Sequence, residues 1–419
     1  MSAPAWYRLD NAARVFAALA GRRTTTVFRV AVTLDEPVDR PTLQAAVDAI
    51  MPRFPGFAVR LRAGLFWHAL VAIPGAPTVR EERDAPCRRL HPRTDGPWSL
   101  RVLVFDRRIS LEISHVLTDG GGAIGFLVAL LAEYLARRGV PVPDDAGIAR
   151  PGEPPDPEEW EDAYRRFHDP RVPRPPPGPR ALRVRGDRLP VEELSVVHGI
   201  VPVGPLRAAS REHGVSLTEL LVAVMAAAIL DVAAREGRPR RPIVVMTPLD
   251  LRRMFPSRTR RNFFLAVRAE IDPRLGPWTF EDIVHDVHHA IRGQATARSI
   301  RRQIRRHVGA ERNPFIRHVP LVLKIPVKRW LYRHRWGARY TSALSNLGRI
   351  ELPPALDARV ERFEVVPNPS TAHGIGCALI GHRDRLVVTI AGILVGTGLE
   401  RAFLTRLRRM GVPVRVETG

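Results

Sequence analysis

Arg108-Ile109-Ser110-Leu111-Glu112-Ile113-Ser114-His115-Val116-Leu117-Thr118-Asp119-Gly120 is the stretch on which the reading of this chain turns. Ile109, Leu111 and Ile113 alternate with Ser110 and Glu112, the period-two pattern of a β-strand. Carried one step further, the alternation puts His115 on the apolar face, at the strand's C-terminal end. An imidazole with its ordinary pKa of about 6.5 can accept a proton at neutral pH, as a general base must. Asp119 follows four residues on, in a loop, where it can hold the histidine's backbone or pair with a buried arginine. Gly120-Gly121-Gly122 then offers positive-φ freedom and room for a substrate to approach the backbone. A metal reading is poor, because His-x-x-x-Asp ligands need helical spacing and this segment is a loop. The same residues also suit a structural histidine followed by an Asp-Gly turn. Residue chemistry alone leaves both readings open.

Working outward, Thr25–Leu34 reads as a strand and Pro41–Ile50 as a helix with Leu43, Ala46, Val47 and Ile50 on one face. Arg101–Phe105 pairs with Ile109–Ser114 around a turn, and a helix of about Gly121–Arg138 follows. Residues 141–179 hold twelve of the 39 prolines, a density that no helix or central strand survives. This predicts a linker, with a short helix near Trp160–Phe167. Beyond it, Leu194–Val203, Ile243–Thr247, Phe263–Ile271 and Leu386–Val395 read as strands. Pro205–His213 and Thr279–His307 read as helices, and Ser216-Leu217-Thr218-Glu219 is a capping box opening a long buried helix. Arg385–Gly392 repeats the pattern of Arg108–His115, and Leu194–His213 that of Thr25–Ile50, which predicts two halves of similar α/β topology. The second copy has Gly392 and Gly396 where the first has His115 and Asp119. A polar pair placed in one copy only is easier to explain by chemistry than by packing.

At 419 residues the length prior is two or three domains. Hydrophobic content of 45% and charged content of 26% exclude wholesale disorder. Cys87 and Cys377, the only cysteines, exclude a disulfide framework and sit in no metal-type spacing. Met1–Asp10 lacks the apolar core of an export signal. Ala123–Ala136 and Leu217–Ala234 are interrupted by Glu133, Glu219 and Asp231 and read as core helices. A cytoplasmic protein is the expectation. The net charge is +22, and nearly all of it is arginine, since Lys324 and Lys328 are the only lysines. Between Ile291 and Tyr340 fourteen Arg and Lys face one acid, Glu311, a net of +13. Such a tract suits a solvated helix face, phosphates, an acidic partner or an anionic membrane. Phe315–Trp336 mixes aliphatic residues with Arg, Lys, Trp and Tyr, as a membrane interface does, although Pro320 and Pro326 should break a long amphipathic helix. His285, His288 and His289 have helical metal spacing but no second ligand type, so no metal is expected.

His115–Gly120 resembles the His-x-x-x-Asp-Gly motif of the coenzyme A-dependent acyltransferase superfamily, which holds chloramphenicol acetyltransferases, peptide-synthetase condensation domains and the alcohol acetyltransferase group. Pro248-Leu249-Asp250-Leu251-Arg252 and Arg261-Asn262-Phe263-Phe264 resemble that superfamily's second-half arginine and asparagine segments. Thr341-Ser342-Ala343-Leu344-Ser345-Asn346-Leu347-Gly348 resembles the Ser-Asn-Leu-Gly segment of the alcohol acetyltransferase group, as does the opening Trp6–Ala13. The elements come in the expected order and cover nearly the whole chain.

The resemblance implies an α/β protein of two chloramphenicol-acetyltransferase-like halves, each a mixed sheet with flanking helices, with a channel between them. The expected divisions are 1–145 carrying the motif, a proline-rich linker at 146–190, and 191–419. The implied chemistry is acyl transfer from a thioester, acyl-coenzyme A or an acyl-carrier protein, to a small-molecule hydroxyl or amine. His115 would be the general base in a direct attack without an acyl-enzyme. Asp119 would be structural and paired with Arg252, Gly120 would keep the channel open, and Asn262, Ser345 and Asn346 would line the junction as oxyanion candidates. No permanently bound cofactor is implied. Ser114 stands where condensation domains carry a second histidine, and the Asp-Phe-Gly-Trp-Gly signature of plant enzymes is absent. These departures argue against an assembly-line domain and against the plant branch. Acyl-coenzyme A as donor and a monomeric state are separate expectations. The alternatives are a carrier-protein-dependent stand-alone condensation enzyme and a non-catalytic binding protein of the same fold. Peripheral contact with an anionic membrane is a further expectation, and nucleic acid is not an expected partner.

Overall fold

Alternation along Arg108–Ser114 builds a strand that pairs antiparallel with Val27–Leu34 on one side and Leu100–Phe105 on the other. The computed structural model describes residues 6–21, 24–176, 178–237, 239–311 and 318–418. Met1–Ala5, Pro177 and Phe315–Arg317, which belong to segments read above, lie outside the described residues, as does the side chain of Glu311. The first sheet runs Val360–Val366, Val27–Leu34, Arg108–Ser114, Leu100–Phe105 and Arg80–Glu81. Ile109, Leu111 and Ile113 face a core built with the helices Arg40–Ile50 and Gly120–Arg137. Glu112 points to the other face and is fully buried there. Its carboxylate accepts from Arg29 Nε at 2.9 Å, Arg101 Nε at 2.8 Å and the Cys87 amide at 2.9 Å. Buried charge of this kind is tolerable only when every lone pair is used.

The second sheet runs Phe264–Ile271, Ile243–Asp250, Ser342–Ile350, Ile375–His382, Arg385–Gly392, Ser195–Pro202 and Arg415–Thr418. Its core is built around the helix Leu217–Arg235, whose N-terminus carries the expected capping box, Ser216 to Glu219. Both long apolar helices, Gly120–Arg137 and Leu217–Arg235, are thus mostly buried core elements. The internal repeat is visible in the pairing. Val27–Leu34, Arg108–Ser114 and Leu100–Phe105 are neighbours in the same antiparallel order as Ser195–Pro202, Arg385–Gly392 and Ile375–His382. The result is a mixed α/β protein of two lobes, and Val360–Val366 extends the first sheet by pairing with Val27–Leu34.

The proline-rich stretch straps the lobes together. Glu159, buried, receives Arg53 of the first lobe at 2.8 and 3.0 Å and Arg260 of the second at 2.9 Å. Trp160 packs against Phe57, and so closely over Gly56 that a Cβ there would lie 2.0 Å from the indole. Two expectations needed correction. The helix expected over Thr279–His307 is two helices, Phe280–Gln294 and Ala297–Glu311, because the chain breaks at Ala295 and the Thr296 hydroxyl caps Ser299. Pro326 does not stop the helix Leu321–Leu331: Pro320 stands at its N-cap, and Pro326 lies on its exposed side.

Candidate active site

His115 stands one residue past the strand, and its amide still donates to Thr26 O at 2.8 Å, so the sheet fixes its backbone. The half-buried ring lies between Phe16, stacked at 4.5 Å, and Phe28 at 4.2 Å, with Phe264 of the second lobe 6.3 Å away. Nδ1 lies 3.2 Å from the Thr118 carbonyl oxygen. A carbonyl only accepts, so Nδ1 carries the proton and Nε2 keeps the ring's lone pair. Burial pushes the imidazole's pKa down to about 4, against the opposing pull of the hydrogen bonds to Thr118 and Asn262. The ring is neutral throughout the physiological range.

Asp119 is the N-cap of Gly120–Arg137 and accepts from Gly122 N at 3.1 Å. Its other partners come from the second lobe. Arg252 Nη2 lies 2.9 Å from Oδ2 and 3.2 Å from Oδ1, and the Phe263 amide donates to Oδ2 at 2.8 Å. Arg252 is held in turn by the carbonyls of Thr259 at 2.8 Å and Arg261 at 2.6 Å and by Asp250 at 2.9 Å. Arg260–Phe263 is thus laid across the His115 loop like a latch. The Thr118 hydroxyl donates to Arg260 O, and Asn262 Nδ2 donates to His115 O at 2.9 Å.

Positive φ is not what the glycine run is used for. None of Gly120, Gly121 and Gly122 has it. Gly122 is instead required by proximity, since a Cβ would lie 2.1 Å from both Arg260 O and Thr118 Oγ1. At Gly120 it would lie 2.8 Å from Leu347 Cδ2. That contact brings the end of Ser342–Ile350 against the head of Gly120–Arg137.

The three oxyanion candidates are placed differently. Asn262 spends its amide on His115 O and on Asp10 Oδ2 at 3.3 Å. Asn346 spends its side chain on Thr218 Oγ1 at 2.8 Å and on the amide of Gly348 at 2.9 Å, within a bulge of the strand. Ser345 makes no side-chain hydrogen bond to the described residues and lies two residues before Leu347, the residue over Gly120. Two surface clefts, about 640 and 440 Å³, lie elsewhere, and none of these residues lines either.

No protein-family model matches the chain, and no curated protein matches it in sequence. Solved structures do. Polyketide synthase associated protein 5 from Mycobacterium tuberculosis superposes with a TM-score of 0.62 at 18% identity, covering 97% of this chain and 98% of that one. TRI101 of F. graminearum, solved with coenzyme A and T-2 mycotoxin, gives 0.62 at 11% identity over 98% and 99%. The wax ester synthase/diacylglycerol acyltransferase of Marinobacter aquaeolei VT8 gives 0.55 at 15% identity over 97% and 100%. The chain shares the fold of these three proteins along nearly its whole length.

Within this fold the motif residues of both lobes converge, and several neighbours were not anticipated. Thr118 lies inside the motif, yet nothing in the pattern marks its carbonyl as the histidine's partner. Asp10 had a legible signal, an aspartate ahead of Asn11–Leu19. It caps that helix by accepting from Ala13 N at 2.7 Å and lies beside Arg261 Nε at 3.5 Å. Burial raises its pKa to about 6, against the pull of Arg261. Phe16, Phe28 and Phe264 come from three distant segments, and no local pattern groups them.

Proposed function

We propose that the protein is an acyltransferase that moves an acyl group from a thioester, with acyl-coenzyme A as donor, to the hydroxyl or amine of a small-molecule acceptor. His115 Nε2 takes the acceptor's proton while the freed oxygen or nitrogen attacks the thioester carbonyl. The C–S bond then breaks, and the departing thiolate recovers the proton from the imidazolium. No acyl-enzyme forms. Asp119 and Arg252 keep the loop and the latch in register, and Asn262 holds the His115 backbone. Ser345, with its hydroxyl unspent, is the donor to the tetrahedral oxyanion, a contribution worth about 10²–10³ in rate.

One observation carries this reading. The Nδ1 contact with Thr118 O sets the tautomer a general base needs, inside a ring cage that keeps the imidazole neutral. The fold shared with a protein named as a wax ester synthase/diacylglycerol acyltransferase supports it. The test is thiol release and product mass spectrometry with a panel from acetyl- to palmitoyl-coenzyme A, against short and long primary alcohols and amines. Transfer to at least one acceptor class is expected, and no transfer across the panel would overturn the reading.

A further inference from the structure

Leu65, Trp67, Val322, Leu323, Val327 and Trp330 are each between 56% and 75% exposed, although they come from two segments far apart in sequence. The structure places those segments side by side. The Leu321 amide donates to Leu65 O at 2.8 Å, and Lys324 Nζ donates to Phe66 O at 2.9 Å. The turn between the strands Val59–Ala63 and His68–Ala72 therefore abuts the head of the helix Leu321–Leu331. Along that helix Val322, Leu323, Val327 and Trp330 recur at helical spacing on the side away from the protein. Exposed aliphatic and tryptophan side chains gathered in this way are unusual on a protein that meets only water.

We propose that this face docks the protein on an anionic lipid bilayer. The charge around it says what covers the patch. Both lysines of the chain, Lys324 and Lys328, lie on this helix, and Arg329, Arg333 and Arg335 continue it. With these five cations and no acid in residues 321–335, the face repels a second copy of itself and attracts anions. A tryptophan-bearing apolar stripe edged by cations is the composition that settles at the headgroup boundary of a bilayer. The helix has eleven residues, enough to lie in the interface and too few to span it. None of the six apolar residues lines either cleft. The patch also lies one layer from the histidine. Arg329 Nε donates to Ala18 O at 2.9 Å, docking the helix onto Asn11–Leu19, whose Phe16 stacks on His115. The docking itself stands apart from the acyl-transfer reading and is tested without it.

The experiment is co-sedimentation of the full chain with phosphatidylcholine vesicles, with and without phosphatidylglycerol, at low and high salt. Association with the anionic vesicles that weakens with salt is expected. Lys328→Gln should weaken it about fivefold, and the combined Trp67→Ser, Val322→Ser and Leu323→Ser variant at least tenfold, with melting temperature unchanged. Arg408→Gln with Arg409→Gln, removing charge from the exposed side of the final helix Leu399–Arg409, should retain it. Equal binding by the wild type and the apolar variant, or an equal loss in the Arg408/Arg409 control, would overturn the proposal. Retention on an acidic carrier protein with no vesicle binding would assign the face to a protein and also overturn it.

Discussion

Asp119 and Arg252, 133 residues apart and in opposite lobes, meet at 2.9 Å beside His115. The pair is a junction of backbone as much as of charge, because each side chain also ties down amides or carbonyls of the latch. Asp119→Ala strips a half-buried guanidinium of its main partner and uncaps a helix, so it should cost about 3 kcal/mol. Asp119→Asn keeps the Gly122 cap on its one remaining oxygen but loses the charge and the acceptor shared by Phe263 N and Arg252, so it should cost less than the Ala variant only by the cap, about 1 kcal/mol. Urea denaturation of both variants checks the order, and an Asn variant as unstable as the Ala variant would contradict it.

Neighbouring glycines should respond in opposite directions. A Cβ on Gly122 meets backbone at 2.1 Å, whereas on Gly121 its nearest neighbour is Asp119 Oδ1 at 3.5 Å. Gly122→Ala must push the latch away and should lower the melting temperature by many degrees. Gly121→Ala, in the first turn of a helix, should be neutral or stabilising by up to about 1 kcal/mol. Thermal unfolding of the two proteins decides it.

Ser345 and Asn346 are adjacent and should divide rate from stability. Ser345→Ala removes an unspent hydroxyl and should lower kcat about 10²-fold with little change in melting temperature. Asn346→Ala breaks bonds to Thr218 and Gly348 and should lower stability first. Steady-state kinetics beside thermal melts separate the two, and a Ser345→Ala enzyme with full kcat would remove Ser345 from the oxyanion role.

How far the sequence could be read is clearest at these residues. Alternation at Ile109, Leu111 and Ile113 was enough to find the strand that carries His115, and the repeat around Arg385–Gly392 anticipated the matching pairing of the second sheet. The pairing of Val360–Val366 with Val27–Leu34 was not legible, because a strand's own pattern does not name a partner more than three hundred residues away. Asn262 and Asn346 looked equivalent to Ser345 as donors, since residue type does not tell which amides the fold has already spent. The glycine run announced positive-φ freedom and room for a substrate, and the room at Gly122 is taken up by the chain's own Arg260.

Acid should destabilise the fold earlier than carboxylates alone would. Burial lowers His115, His307 and His373 to about 4, below the ordinary 6.5, so the unfolded chain takes up protons first as pH falls. The stability of these neutral rings is complete above about 6.5 and is lost between there and 4. Asp10 opposes this. Its folded value of about 6 lies above 3.8, so its cost is full above 6 and is relieved in acid. Three groups outweigh one, and the melting temperature should fall from pH 7 to pH 5. A flat or rising profile would contradict the assignment.

The central claim, that the neutral His115 ring is the base, meets its most direct test in the turnover of His115→Ala against wild type, followed by thiol release from acyl-coenzyme A with the best acceptor of the panel. The account predicts a loss of about 10²–10⁴ in kcat in a protein that still melts cooperatively. With an alcohol acceptor it also predicts a wild-type rate that is level above pH 6 and declines only toward the imidazole's value of about 4. Full turnover by the folded His115→Ala protein would contradict it.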